Sequence, residues 1–163
     1  MGEAEFGLQD GVLMTRPGWL GPGEVVEVTF DPEVVTYASL LKHAKSKGCT
    51  DMVYTRTDEQ QAHAAEVVGK QAKRSDEAIR VEGNKYYLTQ SALRAVPMTE
   101  AQASRIHASR AEGTWKRWLS PRQLELLKRV EAREAKAADW KAPTAIGEPL
   151  IEAWAKLEAS LAE

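Results

Sequence analysis

Residues 19–32, WLGPGEVVEVTFDP, decide the fold that this sequence predicts. Within them, residues 25–30 are rich in β-branched and aromatic side chains, and Glu27 and Thr29 alternate with the apolar ones. This period of two is typical of a half-buried strand. The Gly-Pro-Gly sequence before the strand predicts a turn, and Asp31-Pro32 ends the strand.

Glu24 lies at the start of this strand, directly after Gly23. A carboxylic acid at a covered turn is poorly solvated and keeps its proton more readily, which suits a general acid. An ordinary solvated turn glutamate is the alternative, and the spacing alone favours that alternative. Glu24 is therefore a candidate acid whose role depends on what covers the turn.

The totals restrict the class of protein. The 163 residues predict one domain with a tail, and no apolar run approaches the roughly 18 residues of a membrane span. The first residues are acidic and lack the apolar segment of a signal peptide, so we expect a cytoplasmic protein. Cys49 is the only cysteine, which excludes an internal disulfide and a cysteine-based zinc site, and no metal site is expected.

The charge is uneven along the chain. Residues 1–68 hold 5 basic and 11 acidic groups, residues 69–133 hold 14 and 7, and residues 134–163 hold 3 and 6. A basic middle section is compatible with an acidic partner. Its charges are scattered along helices with matching acids, and no recognition motif is present, so nucleic-acid binding is not expected.

Periodicity and capping residues predict the remaining elements. These are a helix ending near residue 10, a strand at 11–15 broken by Arg16-Pro17-Gly18, a helix capped by Thr36, a strand at 50–55, a helix at 57–73 capped by Thr57, a helix capped by Thr99, a helix capped by Ser120 with Pro121 at its first position, and a helix at 148–162. The predicted buried faces include Ala62 and Ala65 on one helix, and Ile151, Trp154, Leu157 and Leu161 on the last.

Residues 23–32 (GEVVEVTFDP) and 35–41 (VTYASLL) together resemble a known family, peptide methionine sulfoxide reductase type A (MsrA-like). That family has the motif GHAEVV-x-V-x-[YF]-DP on its central strand, followed by a helix entry of the S-Y-E-x-L-L kind. The resemblance implies that Glu24 protonates the sulfoxide oxygen. Pro22-Gly23 departs from the His-Ala of the family.

The beginning of the chain resembles the same family without its nucleophile. GEAEFGL at residues 2–8, GV at 11–12 and TRPGW at 15–19 are similar to the part of the family pattern that comes after the tryptophan of its motif G-C-F-W-G-x-E. The nucleophilic cysteine of that motif would lie just before Met1. Two explanations stay open: a chain read from an internal methionine with a cysteine or selenocysteine upstream, or a reductase-like protein without the chemistry.

The sequence differs from the family pattern at Cys49. The family frame Q-Y-R-S-x-[IV]-[YF]-x-T-x-x-Q is similar to the sequence around Val53-Tyr54 and Thr57. This register places Cys49 where the family has a tyrosine that binds the sulfoxide oxygen. Cys49 would then face the same pocket as Glu24 and resolve a sulfenic or selenenic intermediate.

Two other roles for Cys49 remain open. In the first, Cys49 is a buried structural cysteine, as lone cysteines usually are. In the second, Cys49 is itself the nucleophile and needs positive charge to favour the thiolate. Lys45 and Lys47 are the basic residues near it in sequence.

The resemblance implies a fold, an activity, a partner and a set of site residues for this protein. It predicts an α/β (α+β) fold with a small, mostly antiparallel sheet, flanking helices and a ferredoxin-like core at residues 1–96, followed by a helical extension at 97–163. The implied activity is thiol-dependent reduction of methionine sulfoxide, with a thioredoxin-like reductant as partner and no cofactor. The implied catalytic residues are Glu24 and Cys49, and the implied substrate-binding residues are Phe6, Trp19, Tyr54 and Tyr87. A non-catalytic, reductase-like interaction protein is the alternative.

Overall fold

The computed structural model describes residues 2–83, 85–137 and 139–162, and the chain divides into two compact units, Met1–Glu82 and Gly83–Glu163. The first contains α1 (Gly2–Gly7), β1 (Val12–Leu20), β2 (Gly23–Phe30), α2 (Tyr37–Ser46), β3 (Val53–Thr55), α3 (Asp58–Val68), β4 (Ala72–Arg74) and β5 (Arg80–Val81). The second contains α4 (Tyr86–Thr89), α5 (Glu100–Ala108), α6 (Pro121–Lys136) and α7 (Leu150–Ala162). Single 3₁₀ turns lie at Gly69–Gln71, Ala92–Ala95 and Trp115–Trp118.

The predicted α+β class is confirmed. The main sheet is antiparallel with the strand order β2-β1-β5, and β3 and β4 form a separate parallel pair. The predicted reductase-like core extended to residue 96, whereas the boundary between the compact units falls between Glu82 and Gly83. The reason is the segment after residue 85, where Leu88, Leu93 and Val96 are buried in the core of the second unit.

Strand β1 is longer than predicted. The sequence Arg16-Pro17-Gly18 was expected to break it, but the strand continues to Leu20 and pairs with β2 along its whole length. Pro17 is compatible with extended backbone, and its carbonyl oxygen accepts a hydrogen bond from the Glu82 amide at 3.2 Å. The prediction was wrong because it considered only the local effect of proline and glycine. It did not consider that β5 pairs with β1 at Gly18 and Trp19.

The core of the first unit lies between α1, the sheet and α2. Its buried side chains are Phe6, Val12, Leu40 and Ala44. Thr36 begins α2 as predicted, since its hydroxyl accepts a hydrogen bond from the Ser39 amide at 3.2 Å. The cap and the apolar face of α2 together hold this helix against the sheet.

Helix α3 has its predicted cap but not its predicted buried face. The Thr57 hydroxyl accepts a hydrogen bond from the Gln60 amide at 3.1 Å. Ala62 and Ala65 are exposed, and Ala64 is the fully buried residue. Because alanines occur all around this helix, apolar periodicity did not define which side faces the core.

The second unit is helical, and its helix starts are confirmed. Thr99 and Ser120 each form a capping box, and Pro121 lies at the first turn of α6. The main core consists of Leu88, Leu93, Val96, Ala103, Ile106, Leu119 and Leu127. On α7, Leu157 is buried as predicted, but Ile151 is 83% exposed, which corrects its predicted place on the buried face.

Several basic side chains of the second unit stack on its tryptophans. Arg105 lies 5.0 Å from the ring centre of Trp118, and Arg122 lies 4.3 Å from that of Trp154. Such cation–π contacts account for part of the basic middle section without an external partner.

Among the described residues, no helix is long and apolar enough to cross a membrane.

Candidate functional site

A cleft of about 840 Å³ lies within the first unit. All eight residues of β2 line it, and α2 contributes Tyr37, Leu40, Leu41 and Ala44. The segment from Cys49 to Tyr54 contributes five further lining residues, Cys49, Asp51, Met52, Val53 and Tyr54. The cleft is thus built from elements that are far apart in sequence.

Four of the six predicted site residues line this cleft. Phe6 comes from α1, Glu24 from β2, Cys49 from the segment after α2, and Tyr54 from β3. Gly2 allows α1 to lie close to the strand, because a methyl group added there would be 2.8 Å from the Val26 Cγ2 atom. The fold therefore brings these four side chains to one place.

Trp19 and Tyr87 are not among the residues that line the cleft. Trp19 is half-buried on β1 and pairs with Glu24 and with Arg80. Tyr87 belongs to the second unit, where its ring centre lies 5.1 Å from that of His107. The substrate-binding role that the resemblance implied for these two residues stays a prediction.

The side chain of Glu24 is exposed rather than covered. Leu20 and Gly23 pair directly, so Gly21 and Pro22 form a two-residue hairpin turn, and both of them are exposed. Gly21 has a φ of +57°, which this tight turn requires and glycine tolerates. The environment expected for a poorly solvated acid is therefore absent from this turn, because nothing among the described residues covers it.

Cys49 is half-buried against the core of the first unit. Its thiol lies 3.7 Å from the Lys47 carbonyl oxygen and can donate a weak hydrogen bond to it. The nearby lysines are engaged elsewhere: Lys47 forms a 2.9 Å ion pair with Glu5, and Lys45 donates to the Val67 carbonyl oxygen at 3.0 Å. The hydrogen bond with Glu5 raises the pKa of Lys47, so that cation is stabilised mainly by Glu5.

Tyr37 is a site residue that sequence reasoning missed. It lines the cleft, and its hydroxyl is buried without a hydrogen-bond partner among the described residues. A buried, unpaired hydroxyl costs about 1–3 kcal/mol, so a ligand oxygen that accepted its hydrogen bond would recover this energy. Two signals in the sequence were its position directly after the Thr36 cap and its match to the tyrosine of the S-Y-E-x-L-L helix entry.

We expect Tyr37 to ionise late in an alkaline titration. Burial raises the pKa of Tyr37 above its ordinary value of 10.0. Because the folded pKa is the higher one, the stability contributed by Tyr37 is fully present below pH 10.0 and is lost as the pH rises through the folded pKa. When the absorbance of tyrosinate is followed as the pH is raised, the variant Tyr37→Phe should lack the component that ionises last. The variant Tyr86→Phe, in which an exposed tyrosine is replaced, should retain that component. A late component that survives in Tyr37→Phe would contradict this assignment.

Acidic groups predominate among the charged residues of the cleft. Glu24 and Asp51 are exposed, and Glu27 forms a 3.5 Å ion pair with Arg56, which is the only basic residue in the described lining. Tyr54 approaches β2 at Gly23, where an added methyl group would lie 3.9 Å from its hydroxyl oxygen. The lining of the cleft therefore combines apolar side chains and tyrosine hydroxyls with an excess of negative charge.

Among the described residues, no group of three or more His, Cys, Asp or Glu side chains is arranged to hold a metal ion. The arrangement instead offers hydrogen-bond donors, an acid, a thiol and apolar surface.

Comparison with models of known protein families gives no match for this chain, and comparison with curated proteins gives no similar sequence.

Proposed function

We propose that the cleft of the first unit binds the side chain of methionine-(S)-sulfoxide and serves a thiol-dependent reduction of that group. One observation carries the proposal: Phe6, Glu24, Cys49 and Tyr54 line the same cleft although they belong to separate elements. The resemblance of the sequence to type A methionine sulfoxide reductases names six site residues independently of their geometry, and these four are among them. Their convergence supports the proposal.

The cleft offers a partner for each part of a methyl sulfoxide. The apolar side chains of Phe6 and Leu40 suit the methyl group, which is excluded from water there. The unpaired Tyr37 hydroxyl suits the oxygen, which is a hydrogen-bond acceptor. Glu24, in its protonated form, is a second donor to the same oxygen.

The proposed chemistry is a two-electron reduction. Because Cys49 is the only cysteine of the sequence and acts here as the resolving thiol, the attacking thiolate or selenolate is supplied from outside this sequence. It attacks the sulfoxide sulfur while Glu24 gives a proton to the oxygen, since oxide is a very poor leaving group. The hydroxyl ends on the attacking atom as a sulfenic or selenenic acid, and methionine leaves as the sulfide. The Cys49 thiol then condenses with that acid, releases water and forms a disulfide or selenylsulfide, which a thioredoxin-type dithiol reduces.

The surroundings of Cys49 favour this resolving role over that of the attacking nucleophile. A nucleophilic thiol needs positive charge that favours its thiolate. Lys47 is paired with Glu5, and Lys45 donates to a backbone carbonyl. Lys47 also interacts electrostatically with Cys49, but more weakly than with Glu5.

The proposal predicts stereoselective binding. In a calorimetric titration with the two diastereomers of N-acetyl-methionine sulfoxide methylamide, the S form should bind at least about tenfold tighter than the R form, a difference of about 1.4 kcal/mol. Tyr37→Phe should weaken binding of the S form severalfold, while Tyr86→Phe, in the second unit, should not change it. Equal affinity for the two diastereomers would contradict the proposal.

The exposed carboxylate of Glu24 favours a second candidate function, a non-catalytic binding module on the same unit. A carboxyl group held in an apolar site keeps its proton to higher pH than a solvated one does, so an apolar site suits a general acid better than an exposed turn. Under this alternative, the sulfide N-acetyl-methionine methylamide should bind as tightly as the sulfoxide. Adding this sulfide as a third ligand to the titration therefore separates the two functions.

A further inference from the structure

Strand β2, which lies at the end of the main sheet, borders the cleft along its whole length. All eight residues Gly23–Phe30 line it, although successive side chains of a strand point to opposite faces of the sheet. The cleft therefore follows the whole length of this strand. The strand order β2-β1-β5 places β2 at the end of the sheet, with β1 as its only neighbour among the described strands.

This edge presents main-chain groups to the cleft. In an antiparallel pair, alternate residues direct both their N–H and C=O groups away from the partner strand. Among the described residues, none of the backbone hydrogen bonds outside the regular elements involves Gly23–Phe30. An edge of this kind recognises another extended chain by strand addition.

The charges of the cleft define what such a chain would carry. Glu24 and Asp51 are exposed at the cleft, and the single basic residue of its described lining, Arg56, is paired with Glu27. The whole first unit, residues 1–82, has 9 Lys and Arg against 14 Asp and Glu. A basic segment is therefore attracted to this edge and an acidic one is repelled.

We propose that the cleft docks an extended polypeptide segment with basic side chains, which adds as a strand to the free edge of β2. Only one part of this inference rests on the proposed function, namely that the docked segment contains the methionine sulfoxide. Main-chain pairing along β2 would hold the segment, while the sulfoxide side chain would enter the apolar part near Phe6 and Tyr37. The substrate is then an unfolded or flexible chain and not the free amino acid.

The test uses fluorescence anisotropy with labelled acetyl-Lys-Val-Met(O)-Val-Lys-Val-amide. Two matched probes carry backbone N-methyl groups on the odd or on the even residues, so that their composition is the same. Because alternate N–H groups of a strand point to opposite edges, one probe should lose at least about tenfold in affinity and the other should lose less than about threefold. An equal effect of both methylation patterns would overturn strand addition.

Protein variants test the charge of the proposed partner. The double variant Glu24→Gln with Asp51→Asn should weaken binding of the lysine probe about threefold or more, as expected for two exposed charge pairs. Glu33→Gln is the matched control, because Glu33 is an exposed acid of the same unit that does not line the cleft. Tighter binding of a probe with glutamate in place of lysine would overturn the basic partner.

A probe with norleucine in place of Met(O) separates this inference from the proposed function. If it binds with the same dependence on N-methylation, strand docking holds even where selectivity for the sulfoxide fails. If neither probe binds, docking is overturned, and the titration with sulfoxide diastereomers still decides the proposed function.

Discussion

Replacing Ile106 with alanine is expected to lower the free energy of unfolding of the second unit by about 2–5 kcal/mol. Ile106 is fully buried on α5 and belongs to the cluster that includes Leu88, Leu93 and Val96. The loss combines the apolar area no longer removed from water with the cavity left behind. Chemical denaturation followed by far-ultraviolet circular dichroism measures this loss, since the unit is helical.

The matched control is Ile151→Ala, the same substitution on another helix of the same unit. Ile151 is 83% exposed, so its replacement should change the free energy of unfolding by less than about 0.5 kcal/mol. Equal effects of the two substitutions would contradict the assignment of Ile106 to the core.

A methyl group added at Gly18 is expected to destabilise the first unit by about 1–3 kcal/mol, as overpacking does. The Cβ atom of Gly18→Ala would lie 2.5 Å from the Arg80 carbonyl oxygen, a backbone atom that cannot move away as a flexible side chain does. Gly18 pairs with Val81 in the β1–β5 ladder, so the substitution should separate β5 from the sheet. Denaturation and amide exchange at Arg80 and Val81 measure the effect.

Gly23→Ala is the control for this substitution in the same sheet. Its Cβ atom would make only ordinary contacts, at 3.7 Å from the Leu20 carbonyl oxygen and 3.9 Å from the Tyr54 hydroxyl oxygen. We expect its stability to stay close to that of the native chain. If Gly18→Ala were equally neutral, the close approach of β5 to β1 would be wrong.

Local chemistry made the helix starts predictable. Thr36, Thr57, Thr99 and Ser120 were predicted as caps, and each hydroxyl accepts the backbone hydrogen bond that defines a cap. The strand at β2 was predictable for a similar reason, since its alternation is contained in a few neighbouring residues. These features depend on interactions over one or two turns of chain.

Features that depend on distant partners were not predictable in the same way. The continuation of β1 through Pro17 and Gly18 requires β5, which lies about sixty residues later in the chain. The exposure of Glu24 depends on what packs over its turn, and the sequence carries no signal of that. The unpaired hydroxyl of Tyr37 becomes visible only when α2 is packed against the sheet.

The resemblance to the reductases contributed information that physical patterns alone did not. It singled out Phe6, Glu24, Cys49 and Tyr54, which have no common spacing, and all four line the cleft. It also named Trp19 and Tyr87, which do not. The roles that the resemblance implies for all six residues stay predictions.

The most direct test of the proposed function is an isotope-filtered nuclear Overhauser measurement. N-acetyl-methionine-(S)-sulfoxide methylamide with a carbon-13 methyl group is added to the protein, and contacts of that methyl group are read. The proposal predicts contacts with the ring protons of Phe6 that disappear when the R form is used at the same concentration. Contacts only with residues of the second unit, or identical contacts for both diastereomers, would contradict it.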